Sequence, residues 1–226
     1  QTTSNHGVNH EGVITITQSP SAVTRQGFTT LYQFGRKDAF PGTDANLTGT
    51  FNADAGNNMS ISNGIQHPEN FYTWGVSWSI APPAGYSYYN LWSAENTTTG
   101  YNDNPVVKTV YDPCPAGFKM PASNAFTGFS TDGQNGYKPN ISGTWNKGYN
   151  FNNKLTAPDA SVYFSASGWR MLDGSLTDVG DYGVYYVAGP YNPLYANAMQ
   201  ISNGFMQPLL WNYRSSSLSV RPVADN

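Results

Sequence analysis

The chain has 226 residues, which fits one large domain or one domain with an extension, and is long enough to bury a core without disulfide bonds. Charged residues make up only 11% of the chain and aromatic residues 15%, a balance that excludes a disordered chain. The net charge is −3 and the 11 Lys and Arg are scattered, so no basic stripe exists for neutralising phosphates, and we expect no nucleic-acid partner.

Short predicted elements follow one another along the chain. Residues 1–30 are polar and are predicted to form an N-terminal arm or strand packed on a domain of residues 31–226. Helix signal is weak, with candidates only at 91–96 and at 123–129, where Ser123 could serve as the N-cap. Runs of β-branched and aromatic residues predict strands at 13–17, 106–111, 161–165, 183–188, 198–201 and 218–223.

Turn signals separate these strands. Asp173-Gly174 and Asn203-Gly204 are typical of tight turns, as are Asp132-Gly133, Asn135-Gly136 and the segment 55–57. No repeat of fixed period is visible, which argues against a solenoid or a propeller. No apolar run approaches the roughly 18 residues of a membrane-spanning helix. The residues alone therefore predict a single β-rich α+β domain with few short helices and long irregular loops.

Residues with catalytic or metal-binding chemistry are few. The single cysteine, Cys114, stands between Pro113 and Pro115, and we expect it to be a small buried hydrophobic residue in a rigid turn. The three histidines are expected to be solvated loop residues, and no carboxylate pair has a distinctive setting. We therefore expect no cofactor, no bound metal and no catalytic site. The histidines are His6, His10 and His67.

Four segments carry a resemblance to a known family. The stretch LYQFGRKDAFPG at 31–42 resembles LYQWGRKDPFPG of a Bacteroidetes surface-protein family, and VYDPCPAGFKMP at 110–121 resembles its VYDPCPAGWRVP. The region 165–180 resembles PASGYR…DGSL..VG, and 219–223 matches SVRPV. The family comprises the major paralogous and fimbrillin-associated domains. The resemblance implies a C-type-lectin-like fold and a place on the outer surface, on a lipoprotein or at the tip of a pilus.

The C-terminal segment, about 182–214, carries a second resemblance. It keeps family framework positions around unusual apolar residues, and in this it is similar to the variable proteins of diversity-generating retroelements. Such proteins display a diversified ligand-binding face near the C-terminus of a C-type-lectin fold. The resemblance implies a ligand-binding set that comprises Val184, Tyr186, Val187, Tyr191, Asn192, Leu194, Tyr195, Asn197, Met199, Phe205, Leu209, Leu210 and Trp211.

The composition of this segment supports a contact surface. Tyr and Trp supply large amphipathic contacts at low entropic cost, and the intervening Asn, Ser and Gly supply adaptable polar contacts. Some of these rings could instead fill the core, and Tyr185 and Tyr213 are the candidates, because they match framework positions of the family. Leu209 and Leu210 beside Trp211 are predicted to form an exposed apolar patch.

Calcium-dependent sugar binding is not expected. Lectins of that kind carry EPN or QPD followed well downstream by WND, whereas Gln207-Pro208-Leu209 lacks the acid and 211–213 follows too soon. The segment 173–178 could hold a cation, although a hairpin turn is the stronger expectation.

We therefore expect a non-enzymatic cell-surface adhesin or ligand-binding domain that is exported and displayed on a pilus tip or a lipoprotein. Its partner would be a protein or glycan on a host or bacterial surface. A structural pilus subunit that contacts other subunits is the main alternative. A surface glycan-processing enzyme, which would need a cleft with paired carboxylates, is a further one.

Overall fold

The computed structural model describes residues 13–18, 21–26, 29–43, 52–54, 61–73, 90–95, 98–192 and 194–225. Within these ranges the protein is β-rich, and its helical structure is α1 (Ile61–Gln66) and a 3₁₀ turn over Thr127–Phe129. No helix in the described ranges combines the length and the apolarity that crossing a bilayer requires. The strands are β1 (Val13–Gln18), β2 (Ser21–Gln26), β3 (Thr30–Gln33), β4 (Phe40–Pro41), β5 (Asn52–Asp54), β6 (Asn70–Tyr72), β7 (Phe118–Lys119), β8 (Ile141–Ser142), β9 (Gly148–Asn152), β10 (Ser161–Ser165), β11 (Ser167–Arg170), β12 (Leu176–Val179), β13 (Tyr182–Pro190), β14 (Tyr195–Ser202), β15 (Phe205–Tyr213), β16 (Ser217–Val220) and β17 (Val223–Ala224).

An eight-stranded mixed sheet organises the domain. Its order is β15-β14-β13-β11-β16-β3-β4, with β12 paired to β11 and a further pairing between β13 and β16. The strands β13, β14 and β15 form an antiparallel meander, whereas β13 runs parallel to both β11 and β16. Smaller sheets comprise β10-β9-β8, β1-β2, β5-β6 and β17-β7. The strand β15 therefore forms one edge of the main sheet.

The central strand β13 is buried on both faces. Its alternate side chains Val184, Tyr186 and Ala188 enter one hydrophobic cluster, while Tyr185 and Val187 enter a second cluster on the opposite face. Both faces of the sheet are thus covered, which explains why β13 reads as a continuous apolar run without polar alternation. The prediction that Tyr185 belongs to the core is confirmed.

Two glycines leave room for neighbouring backbone where β13 pairs with β11. Gly168 pairs with Gly183, and a Cβ atom on Gly183 would lie 2.3 Å from the carbonyl oxygen of Ser165. Gly168 also has a φ of +65°, in the left-handed region that favours glycine. The glycine in the motif at 165–170 is therefore needed by the sheet.

A buried arginine joins the β3–β4 connection to the chain after α1. The Arg36 guanidinium donates to the Asp38 carboxylate at 2.8 Å and to Gln33 Oε1 at 3.0 Å. It also donates to the carbonyl oxygens of Asn70 and Pro68. Burial lowers the pKa of Arg36, while the nearby Asp38 acts in the opposite direction. The motif at 31–42 is thus a structural device.

The cysteine motif is a rigid buried turn, as expected. The Asp112 carboxylate accepts hydrogen bonds from the amides of Cys114, at 2.7 Å, and Met120, at 3.0 Å, and it pairs with Lys108 at 2.9 Å. Cys114 is buried, and desolvation raises its pKa far above the usual range. The prediction of a buried cysteine in a rigid turn is confirmed.

Two predicted elements are wrong because side chains take the place of backbone partners. The amide of Val107 donates to the hydroxyl of Ser93 at 3.0 Å, so the run 106–111 forms only an isolated bridge, between Ser93 and Lys108. The other half of that bridge lies in 91–96, whose described residues form turns and a bend where a helix was predicted.

The predicted helix at 123–129 is reduced to its last turn, the 3₁₀ segment at 127–129. Ser123 is not an N-cap. Its hydroxyl accepts the amide of Asn102 at 3.1 Å and the side-chain amide of Asn197 at 2.9 Å. Because it is committed to the sheet and to a distant loop, it cannot cap a helix start.

The other strand predictions are confirmed in β1, β10, β13, β14 and β16–β17. Asn203-Gly204 forms the two-residue turn between β14 and β15, and Asp173-Gly174 lies in the turn between β11 and β12. The 55–57 turn and the histidines His6 and His10 lie outside the described residues. The strands β1 and β2 pair with each other, and the packing of residues 1–30 on the domain stays a prediction.

Candidate ligand-binding surface

Five of the residues predicted to contact a ligand are buried: Val184, Tyr186, Val187, Asn197 and Met199. They lie on β13 and β14, where the neighbouring strands and both covered faces leave no exposed surface. As contact residues these predictions are wrong. Physically, a resemblance in sequence could not reveal that both faces of the central strands are covered.

The remaining predicted residues reach the surface to different degrees. Leu194 is 40% exposed and Trp211 is 44% exposed. The others are partly buried: Tyr191, Asn192, Tyr195, Phe205, Leu209 and Leu210. Leu210 packs against the core, so the expected patch is formed by Leu209 and Trp211 with neighbours that sequence reasoning did not assign to it.

Five aromatic rings form a continuous row at this end of the sheet, and we call it the aromatic row. Tyr195 contacts Trp211, with ring centroids 4.3 Å apart, and Tyr213, at 4.7 Å. Trp211 faces Tyr191 at 6.1 Å with an interplanar angle of 24°, and Tyr191 contacts Tyr101 at 5.4 Å. Tyr213 is 40% exposed, so its assignment to the core is wrong.

The register of the β14–β15 hairpin positions three of the five rings, Tyr195, Trp211 and Tyr213. Tyr195 pairs with Tyr213 and Asn197 pairs with Trp211, which places their side chains on the same face. A bulge on β15, where Pro208 and Leu209 lie opposite the single β14 residue Met199, shifts the register farther along the hairpin. The rings therefore lie between the bulge and the end of the strand.

A turn and a loop position the other rings. The Asn192 side-chain oxygen accepts the amides of Leu194, at 2.8 Å, and Tyr195, at 2.9 Å, an Asx turn that sets the direction of Tyr191. The Gly100 amide donates to the carbonyl oxygen of Pro190 at 3.0 Å, which holds the loop bearing Tyr101 against the end of β13.

The buried Asn197 side chain also holds the loop that bears Tyr101. Its side-chain amide donates to the carbonyl oxygen of Gly100 at 2.7 Å and to the hydroxyl of Ser123 at 2.9 Å. A Cβ on Gly189 would lie 2.7 Å from this amide nitrogen, so only glycine leaves room for it. Asn197 is therefore a positioning residue for Tyr101 and does not contact a ligand.

A groove of about 620 Å³ runs along the outer edge of β15 beside this row, and we call it the edge groove. None of the described residues that line it carries a charge. Sequence reasoning missed most of them; Asn135-Gly136 gave only a turn signal, and nothing in the sequence pointed to Tyr101. The lining residues are Tyr101, Asn135, Gln207, Leu209, Leu210, Trp211, Asn212 and Tyr213.

The phenols of Tyr101 and Tyr195 are neutral at physiological pH, because the pKa of each is raised. Desolvation, with a contribution from Tyr191, raises the pKa of Tyr101 to about 12. A hydrogen bond with Tyr213 raises the pKa of Tyr195. Because the neutral phenol both donates and accepts a hydrogen bond, these hydroxyls can serve a polar uncharged ligand.

Other possible sites offer less chemistry. A cavity of about 450 Å³ lies between the β3–β4 connection, α1 and Tyr111, but the Arg36 guanidinium in its wall is committed to internal partners. His67 lies at the surface, 3.3 Å from Glu69, as predicted for a solvated loop histidine. The described residues hold no group of three His, Cys, Asp or Glu that could bind a metal ion.

The side-chain amides of Gln207 and Asn212, which were compared above with the lectin motifs QPD and WND, already make hydrogen bonds within the protein. Gln207 Oε1 accepts from Gln200 at 3.2 Å, and Asn212 Oδ1 accepts the amide of Tyr213 at 2.7 Å. In the segment 173–178, the Asp173 carboxylate binds the amide and hydroxyl of Ser175, which confirms the turn. Hydrogen bonds from Ser175 lower the pKa of Asp173.

Comparison with known proteins adds no relative: no protein-family model, no curated protein and no solved structure matches this chain. The function is therefore argued from the aromatic row, the edge groove and the segments described above.

Proposed function

We propose that this chain is a non-enzymatic cell-surface domain of the adhesin type, with a C-type-lectin-like fold, whose ligand contacts the aromatic row and the edge groove. The observation that carries the proposal is the exposed row of rings at the edge of an otherwise covered sheet. Trp and Tyr that are held rigidly and half exposed are typical of ligand-contacting surfaces. The resemblance to fimbrillin-associated domains supports display on a pilus tip or a lipoprotein.

The arrangement of neighbours supports this proposal. Hydrogen bonds of Asn192, Asn197 and the Gly100 amide hold the rings in place, which lowers the conformational entropy that the binding surface would otherwise lose when a ligand binds. An enzyme would need a nucleophile or an acid–base pair in the groove, and the described lining residues include neither a carboxylate nor a histidine.

A variant pair tests the proposal. Trp211→Ala is expected to reduce adhesion of the purified domain to bacterial or host cells by at least about tenfold, because it removes the central ring. Phe118→Ala is the matched control, since Phe118 is 41% exposed and lies on β7, outside the main sheet. Equal adhesion by both variants and the unaltered protein would refute the assignment of the site.

The alternative of a structural pilus subunit has one observation in its favour, the edge position of β15. Sedimentation analysis separates the two. A monomer at micromolar concentration supports the ligand-binding domain, whereas filaments that Trp211→Ala abolishes support the subunit.

A further inference from the structure

The edge groove also indicates the chemical class of the ligand, provided that the proposed function holds. Its floor is an aromatic platform. Trp211 is 44% exposed, and its ring is held in place by contacts with Tyr195 and Tyr191. The face of an aromatic ring carries partial negative charge and attracts weakly polarised C–H groups. A flat, uncharged ring with axial C–H groups on one face satisfies this platform.

The rim of the groove supplies hydrogen-bond donors and acceptors. Gln207 Oε1 accepts a hydrogen bond from Gln200, and Asn212 Oδ1 accepts one from the Tyr213 amide. The terminal NH₂ group of each side chain donates no hydrogen bond to a described residue. Tyr101, which is 36% exposed, lines the same groove. By the β14–β15 register, Gln207 and Asn212 lie on the face of β15 opposite Trp211, so their NH₂ groups can bind hydroxyls of a ligand that extends along the strand edge rather than only over the ring.

The lack of charge restricts the ligand further. An anionic or cationic ligand would lose hydration in a groove where no described lining residue offers a counter-charge. The size agrees with a small saccharide, since pockets for small ligands span roughly 300–1,000 Å³ and this one is about 620 Å³.

A peptide strand fits this edge less well. Gly136 already exchanges two backbone hydrogen bonds with Met206, both of 2.9 Å. The Asn135 side chain occupies both the amide and the carbonyl of Leu209, at 3.1 and 2.8 Å. Along an antiparallel edge strand, the backbone N–H and C=O groups of alternate residues point away from the neighbouring strand. After Leu209, only Trp211 therefore offers such groups at the free edge of β15. One residue is too little for an added strand, but its amide and carbonyl can bind hydroxyls.

We propose that the edge groove binds a neutral oligosaccharide, with one uncharged pyranose ring stacked on Trp211 and other hydroxyls of the saccharide bound along the strand edge by the Trp211 backbone, Gln207 and Asn212, without a metal ion.

The first experiment is a glycan array that holds neutral and acidic oligosaccharides, probed with the whole chain in the presence of EDTA. Binding to neutral glycans is expected, and it should fall at least about tenfold in Trp211→Ala while Trp211→Phe, which keeps a ring, and Phe118→Ala stay within about threefold. Circular dichroism and thermal unfolding check that all variants fold. Selection of acidic glycans alone, loss with EDTA, no neutral binding at all or equal binding by Trp211→Ala would each overturn the carbohydrate assignment.

A second experiment separates the two proposals. Cells are treated with glycosidases before adhesion is measured with the unaltered protein and Trp211→Ala. Adhesion that depends on Trp211 and disappears with the glycans supports both proposals. Adhesion that depends on Trp211 but survives glycan removal overturns the carbohydrate assignment and leaves the adhesin proposal standing. Adhesion that does not depend on Trp211 overturns both.

Discussion

At the scale of single residues, Arg36 joins three segments of the chain through one buried charge. Its guanidinium binds Asp38 and Gln33 beside it and the carbonyls after α1, and its own carbonyl oxygen accepts the indole N–H of Trp92 at 3.2 Å. Lysine cannot reproduce this planar fork of donors. The structural role of the motif at 31–42 therefore depends on arginine in particular.

Arg36→Lys is expected to lower the free energy of unfolding by about 2 kcal/mol, because the fork is lost and carbonyls remain buried without a donor. Urea denaturation measures this loss. Lys37→Ala, at the exposed neighbouring position, should change stability by less than about 0.5 kcal/mol. Equal stability of the two variants would contradict the role given to Arg36.

Asn197 links the buried sheet to the exposed loop of Tyr101. Asn197→Ala removes two hydrogen bonds and should reduce stability by about 1–2 kcal/mol. It should also speed hydrogen exchange at the amides of Gly100 and Asn102, because Asn197 and Ser123 hold that loop. Asn150→Ala, at an exposed position of β9, serves as the control. Unchanged exchange at Gly100 in Asn197→Ala would show that the loop is held otherwise.

At the scale of elements, β15 divides its side chains between support and surface. Met206 is buried in the second core cluster, whereas Leu209 lies in the wall of the edge groove. Met206→Ala should cost about 2–5 kcal/mol, since it leaves a cavity. Leu209→Ala should cost less than about 1 kcal/mol. Thermal unfolding of both variants measures the difference, and a Leu209→Ala cost as large as that of Met206→Ala would contradict this division.

The sequence allowed some elements to be predicted and not others, for physical reasons. Local signals sufficed for the Asn203-Gly204 hairpin turn and for the strand within β13. Burial of Val184 and Val187 could not be predicted, because it depends on β11, β14 and β16, which are brought together by pairings distant in sequence. The run 106–111 had β-branched residues, but no neighbouring strand was placed beside it.

The candidate site was predicted in part. Trp211 and Leu209 were expected at the surface and are found there, because their neighbours Asn212 and Gln207 are polar and β15 is an edge strand. Tyr101 contributes through the loop that Asn197 holds, a contact separated by 97 positions in sequence. No local pattern reports such a contact, so two of the five rings, Tyr101 and Tyr213, could be assigned to the aromatic row only from the structure.

At the scale of the whole molecule, the charge of the groove predicts its pH dependence. With the pKa of Tyr101 at about 12, the phenol stays neutral between about pH 5 and about pH 9, and the described lining residues include no histidine or carboxylate. Ligand affinity should therefore be constant from about pH 5 to about pH 9. Titration calorimetry across this range measures it. A change of more than about threefold would indicate a titrating group in contact with the ligand.

Below about pH 5, ligand affinity should depend on the stability of the loop that bears Asn135, which includes the Asp132 carboxylate. Hydrogen bonds from Ser130 and Lys138 lower the pKa of Asp132 to about 2, below its ordinary value. A lowered carboxylate pKa stabilises the folded loop above about pH 4, and the contribution disappears as the pH falls toward 2. Affinity should decline in that acidic interval, and Asp132→Asn should decline less because it has no carboxylate to protonate.

The pairing of β3 with β16 has a mechanical consequence. Leu31 lies opposite Ser219, so the chain enters and leaves the main sheet side by side, next to the edge strand β4. The opposite edge is β15, four strand spacings or roughly 20 Å away from β3. Whether the protein is held through β3 or through β16, a force applied to a bound ligand at β15 is transmitted through the same pairings between neighbouring strands. The load would be shared among them, and the groove would face away from the tether.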